Sequence, residues 1–160
     1  VREAMLSFGQ ALHAIQDFYA HSNYVELMQA RVPAISDEAA IPIVEFWKPA
    51  GRQQLRNLAV TGLHSGRVWW SLPNNTCSAS VPSHGDLAKD SPGTKAGKES
   101  SIFMHKLTGQ FVSNHTVAFN LAARATREFL RWAGQTYPQI EKFCGQTLRY
   151  VVQSDRRAGD

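Results

Sequence analysis

The stretch FVSNHTVAFNLAARATREFLRWA, residues 111–133, decides the fold class. Phe111, His115, Ala118, Ala122, Ala125, Phe129 and Ala133 recur in it at alternating spacings of three and four. A helix turns once in about 3.6 residues, so this spacing lays one apolar stripe along one face. It predicts a long buried helix over 100–133, ended by Gly134. Tyr137-Pro138 then opens a further helix over 139–152, before a loose charged tail at 155–160.

Upstream, Met5, Leu6, Phe8, Leu12, Ile15, Phe18 and Tyr19 recur near helical spacing and predict a first long helix over 2–23, interrupted only by Gly9. Tyr24 to Arg31 reads as a second helix, closed by Val32-Pro33, because the residue before proline is pushed out of the α region. Asp37 suits the cap of a short helix, and Leu55, Leu58 and Ala59 support another over 51–63. Between 65 and 97 the character changes. Three of the seven prolines fall there among Gly, Ser, Asn and Thr, which predicts a long irregular loop anchored by Trp69, Trp70, Leu72, Cys77 and Val81. No repeat and no strand hairpin stands out. The expected fold is all-α, a multi-helix bundle with a long irregular loop at about 65–97, forming a single domain over 1–154.

Composition agrees with one globular core: 160 residues, 43% hydrophobic and 19% charged. No run approaches the about eighteen apolar residues that a membrane span needs. Seventeen Lys and Arg against thirteen Asp and Glu give a net charge of +4, a mild bias toward anionic partners. Arg124, Arg127 and Arg131 form a basic stripe that reads first as a solvated helix face. Cys77 and Cys144 allow a disulfide, two free thiols, or one of each. Asn74-Asn75-Thr76 and Asn114-His115-Thr116 match a glycosylation sequon, a pattern too short to weigh much. The chain starts at Val1 directly in a helical pattern, so the domain is expected to be incomplete at its N-terminus.

The chemistry concentrates in HAIQDFYAH, residues 13–21. His13, Asp17 and His21 are four apart, so their side chains share one helix face. Two imidazoles and a carboxylate are the donors zinc prefers where one coordination position stays open to water. His13 and His21 are about 12 Å apart along the axis, too far for one ion. Asp17 is therefore expected to bridge two ions about 3.5 to 4 Å apart, with other segments completing the shells. The flanking Leu12, Ile15, Phe18 and Tyr19 suggest a helix buried nearly all round, where charges need partners or metal. The competing reading is a helix with two surface histidines and a capping-type carboxylate. His115, beside the small Ala118 and Ala122, is a further candidate ligand, although a lone core histidine is more often only hydrogen-bonded. The segment SHGDLAKD, residues 83–90, offers His84, Asp86 and Asp90 as ligands or general base. His64 and His105 read as structural or surface residues. There is no Gly-x-Ser-x-Gly, P-loop or dinucleotide fingerprint, which argues against serine hydrolases and nucleotide binding.

The run ALHAIQDFYAHSNYVEL, residues 11–27, resembles the signature of Het-C proteins, named for fungal heterokaryon incompatibility and also found in bacteria. HGDLAKD at 84–90 is similar to that family's glycine-rich segment, and His115 with ATREFL at 125–130 looks like its closing helix. The family is related to the helical zinc-dependent phospholipase C and P1 nuclease group. What the resemblance implies is a phospholipase C/P1 nuclease-like fold holding two or more zinc ions on His13, Asp17, His21, His115 and Asp90, with His84 as a further ligand. The distant enzymes pair their late histidine with a glutamate one turn on, where this chain has Phe119, and their N-terminal ligands have no counterpart before His13. An upstream segment or a partner chain is therefore expected to complete the site.

The expected function is phospholipase C-type hydrolysis of phospholipid phosphodiesters, by a toxin, effector or incompatibility factor acting on membranes. Asp90 and Asp17 are the catalytic candidates and the phospholipid surface is the partner. Trp69, Trp70 and Leu72 could meet that surface, though packing the long loop is the commoner role for such residues. Two alternatives stay open: a metal-dependent nuclease on the same fold, with nucleic acid the less favoured partner, and a non-catalytic membrane-active module whose metal only holds the fold together. A secreted or periplasmic setting is favoured over a cytoplasmic one.

Overall fold

The computed structural model describes residues 2–31, 37–66 and 82–140. The expectations for Val32-Pro33, Trp69, Trp70, Leu72, Asn74–Thr76, Cys77, Val81, Cys144, nearly all of the helix at 139–152 and the tail lie outside these residues. The chain is mostly helical: α1 (Arg2–His21), α2 (Tyr24–Arg31), a 3-10 turn (Glu38–Ala40), α3 (Pro49–Val60), α4 (His84–Leu87), α5 (Lys95–Lys98) and α6 (Asn114–Thr136). Among the described residues no helix is long and apolar enough to cross a membrane.

The long helices α1 and α6 pack against each other in opposite directions. Phe8 stacks on Phe129 at 5.5 Å, while Gln16 near the middle of α1 reaches Thr126, earlier on α6. Ser22 ends α1 and starts α2: its hydroxyl donates back to the Phe18 carbonyl and accepts from the Tyr24 amide. Below that corner Phe18, Tyr19, Tyr24 and Phe46 pack edge to face. Burial raises the pKa of both phenols, keeping them protonated and able to hydrogen-bond: Tyr24 donates to the Pro42 carbonyl and Tyr19 accepts from the Val44 amide. These bonds fix the extended segment 41–44, whose Ile41 and Val44 are fully buried. Asp37 caps the 3-10 turn as its sequence suggested, accepting from the Ala39 amide at 2.8 Å.

Four expectations are corrected. The fold is mostly helical, as expected, but not wholly so: Ser100–Met104 (β1) and Phe111–Ser113 (β2) form a small antiparallel hairpin. Ser101 and Phe103 point inward and Ile102 outward, a period of two that overrides helical spacing here. Gly109, at φ 63°, closes the turn. The late helix therefore starts at Asn114, where Ser113 caps it by accepting from the Thr116 amide, and it runs through Gly134 to Thr136. Its buried stripe is Asn114, Val117, Ala118, Leu121, Ala125, Phe129 and Ala133. Phe111, His115 and Ala122 drop out of the stripe, because the latter two line a cavity and Phe111 sits on the hairpin. Helix α1 is not buried all round: only Ile15 and Tyr19 are buried, and residues 2–7 are exposed. The 65–97 region is not wholly irregular either, since α4 and α5 lie in it, each capped by a hydroxyl, from Ser83 and Thr94.

Candidate metal centre

A cavity of about 880 Å³ opens between α1 and α6. Its lining gathers six of the seven sequence-derived candidates, all but Asp86, from four separate segments: His13, Asp17 and His21 from α1, His84 from α4, Asp90 from the following loop, and His115 from α6.

The carboxylate of Asp17 lies between the two histidines of its helix with one oxygen toward each. Oδ2 is 3.2 Å from His13 Nε2, and Oδ1 is 3.9 Å from His21 Nε2. On its other side His21 Nε2 is 3.7 Å from Asp90 Oδ2, and its ring stacks on His84 with centroids 3.9 Å apart. Burial pushes the His21 pKa below the ordinary 6.5, and the neighbouring His84 adds to this while Asp90 and Asp17 oppose it. A neutral His21 is the ligand form of the residue. Its Nδ1 is buried without a hydrogen-bond partner.

Two backbone approaches place these groups. The Gly66 amide donates to the His21 carbonyl at 3.0 Å, and a Cβ on Gly66 would stand 2.4 Å from His84 Cα. Only glycine lets this strand of chain lie against both histidines. From the opposite side the Lys89 amide donates to the Ala20 carbonyl at 2.9 Å, tying the Asp90 loop to the end of α1.

Lys89 is the residue whose role the sequence hides. Its side chain is fully buried, and its ammonium donates at 2.9 Å to Glu26 Oε1, the Ser22 carbonyl and the Leu87 carbonyl. One cation thus joins α1, α2 and α4. The Lys89 carbonyl accepts from His115 Nδ1 at 2.7 Å. A carbonyl only accepts, so Nδ1 carries the proton and Nε2 keeps the lone pair needed by a ligand or base.

The donors suit a divalent cation in kind and in pairwise spacing. Two tetrahedral zinc ligands stand about 3.3 Å apart, close to the His13–Asp17 separation and somewhat under the two involving His21. The unpartnered His21 Nδ1 is a further polar atom that a bound group could satisfy. Among the described residues no three His, Cys, Asp or Glu side chains yet stand close enough to hold one ion as placed. His13 and Asp90, with side chains 75% and 56% exposed, are the ones free to close in.

The rest of the lining is mostly apolar, with Ala20, Ala118, Phe119, Ala122, Ala123 and Leu130, beside the polar Gln16 and Thr126 and the cation Arg127. Asp86 takes no place in it; it closes a capping box with Ser83. His64 and His105 stay outside the cavity, and buried Asn114, bonded to Gln29, is closed to modification in the folded chain. Compared with models of known protein families, with curated proteins and with solved structures, the chain matches none.

Proposed function

We propose that the chain is a zinc-dependent phosphodiester hydrolase of phospholipase C type, on a phospholipase C/P1 nuclease-like scaffold related to the Het-C proteins. The observation that carries this reading is the convergence of His13, Asp17, His21, His84, Asp90 and His115 on one cavity from four segments. These residues would hold the metal. When bound, zinc neutralises charge on phosphate oxygens and lowers the pKa of a coordinated water toward about 7.

The chain's own residues supply the rest. Asp90, exposed at the cavity and 3.7 Å from His21, would take a proton from an attacking water. Asp17 holds His13 and His21 in register, and the Lys89 carbonyl holds His115 in one tautomer. Arg127 offers a charge to a substrate anion.

The lining favours lipid over nucleic acid. A nuclease needs cations along several phosphates. Among the described residues the lysines and arginines in the lining are Lys89, whose ammonium is committed to Glu26 and two carbonyls, and Arg127. The apolar wall from Ala118 to Leu130 suits the glycerol and upper acyl carbons of a phospholipid instead.

The test is incubation of the zinc-loaded protein with phosphatidylcholine or phosphatidylethanolamine vesicles and, separately, with single-stranded DNA and RNA. Release of a phosphorylated headgroup, lost in Asp17→Asn while far-ultraviolet circular dichroism is kept, is the expected result. Nucleic-acid cleavage without lipid cleavage would replace this reading with the nuclease. Unfolding on chelation with neither activity would point to a structural metal.

A further inference from the structure

The β1–β2 hairpin carries its apolar surface on the wrong side. Its inner face is anchored in the usual way: Phe103 is fully buried and Ser101 nearly so, and the Asn114 amide ties the end of the hairpin to the Glu99 carbonyl. The outer face of a two-stranded ribbon is ordinarily polar. Here Ile102 is exposed on it, Met104 follows two residues later on the same face, and Phe111 pairs directly across from Met104. Leu107 stands at the turn, 88% exposed. That turn is braced, with the His105 carbonyl accepting from the Thr108 and Gly109 amides and the His105 amide donating to the Gln110 carbonyl.

Single exposed apolar side chains are common on any protein; a cluster is not. Among the described residues eight large apolar side chains are exposed, and four of them, Ile102, Leu107, Phe111 and Phe119, fall within one short stretch. Phe119 also lines the cavity, one helical turn past His115 on the helix that follows the hairpin. Over residues 95–113 the charge is basic, exposed Lys95, Lys98 and Lys106 against Glu99, and Asp37, whose backbone bridges Met104, is an acid beside the hairpin from elsewhere in the chain. Apolar side chains flanked by lysines match a surface that is anionic outside and hydrocarbon beneath.

We propose that this hairpin is a membrane-docking element, inserting Leu107, Phe111 and Ile102 at the surface of an anionic phospholipid bilayer and setting the cavity mouth against it. The proposal deepens the phospholipase reading and rests on it for its purpose, but docking is measurable without turnover. Lys106 and its neighbours draw the hairpin to the lipid headgroups, and Leu107 and Phe111 then leave water.

The experiment is co-sedimentation of the wild-type protein and of Leu107→Ser, Phe111→Ser with vesicles of equal parts phosphatidylcholine and phosphatidylglycerol, with thermal melting of each protein and hydrolysis of a monomeric short-chain phosphatidylcholine in parallel. Each substitution is expected to weaken binding about tenfold, and the pair about a hundredfold. Melting and hydrolysis of the monomeric lipid should be unchanged. As a second variant, Lys106→Glu should lose binding to the anionic vesicles at least about fivefold. Wild-type protein that ignores these vesicles, or a double variant that binds them as the wild type does, overturns the proposal. Vesicle binding that depends on the hairpin with no hydrolysis of any lipid would uphold docking and remove the phospholipase reading alone.

Discussion

Replacing Lys89 by Met removes one ammonium and keeps nearly the same volume, so the change isolates the three hydrogen bonds at the centre of the α1–α2–α4 junction. Two of their acceptors are the Ser22 and Leu87 carbonyls, in surroundings where Lys89 is itself 1% exposed. A buried acceptor stripped of its donor costs about 1–3 kcal/mol. The third, Glu26, has a side chain 35% exposed, but its Oε2 is buried without a partner, so water relieves only part of the loss of its cation. Against this, methionine escapes the desolvation that the buried ammonium pays. The net loss is expected at about 2–4 kcal/mol, which at a urea m-value of about 2 kcal/mol/M lowers the unfolding midpoint by about 1–2 M. Urea unfolding followed by circular dichroism reads this directly. A double variant that adds Glu26→Met should lose less than the sum of the single changes, because the two groups are coupled. A midpoint for Lys89→Met within about 0.2 M of wild type, or strict additivity in the cycle, would refute the clamp.

Gly66→Ala drives a Cβ into the backbone of Ser83 and His84, which cannot yield as a side-chain tip would; a loss of about 1–3 kcal/mol in urea unfolding is expected, together with weaker metal retention. Phe129→Ala removes the ring that meets Phe8, Trp47 and Trp132, and should cost about 3–4 kcal/mol by thermal or urea unfolding. The metal-free protein should lose stability as pH falls below 6.5. The folded state binds a proton at His21 less readily than the unfolded chain does, because burial and His84 outweigh Asp17 and Asp90, so the contribution is complete above 6.5 and declines toward the lowered folded pKa. Unfolding measured from about pH 7.5 to about pH 5 should show this slope in wild type, and His21→Asn should flatten it.

The first helix and its site were the most legible parts of the chain. A spacing of four places His13, Asp17 and His21 on one helix face whatever packs nearby, and the structure has them there, with Asp17 between the histidines. The short helix at Tyr24–Arg31 and the Asp37 cap were legible for the same reason: both depend on local backbone chemistry. The hairpin was not. Ile102, Phe103 and Phe111 fit a helical stripe as easily as a strand, and the pairing of Met104 with Phe111 is a contact that no local pattern announces. The inward stripe of α6 differs at its start from the sequence spacing because Phe111 belongs to the hairpin and the helix begins only after the Ser113 cap. Lys89 was invisible for a different reason. A lysine between alanine and aspartate in a loop reads as solvated, and only the tertiary fold delivers two carbonyls and Glu26 to its ammonium. The tautomer of His115 follows from that same loop, through the carbonyl of a residue distant in sequence.

The most direct test of the metal centre is zinc content, measured by inductively coupled plasma mass spectrometry on protein purified without a histidine tag, for wild type and for the His13→Ala, Asp17→Ala double variant. About two or more zinc equivalents per chain in wild type, lost in the variant while circular dichroism stays helical, is the result expected of a clustered site. Wild-type protein that takes up no zinc when supplied with it would contradict the assignment.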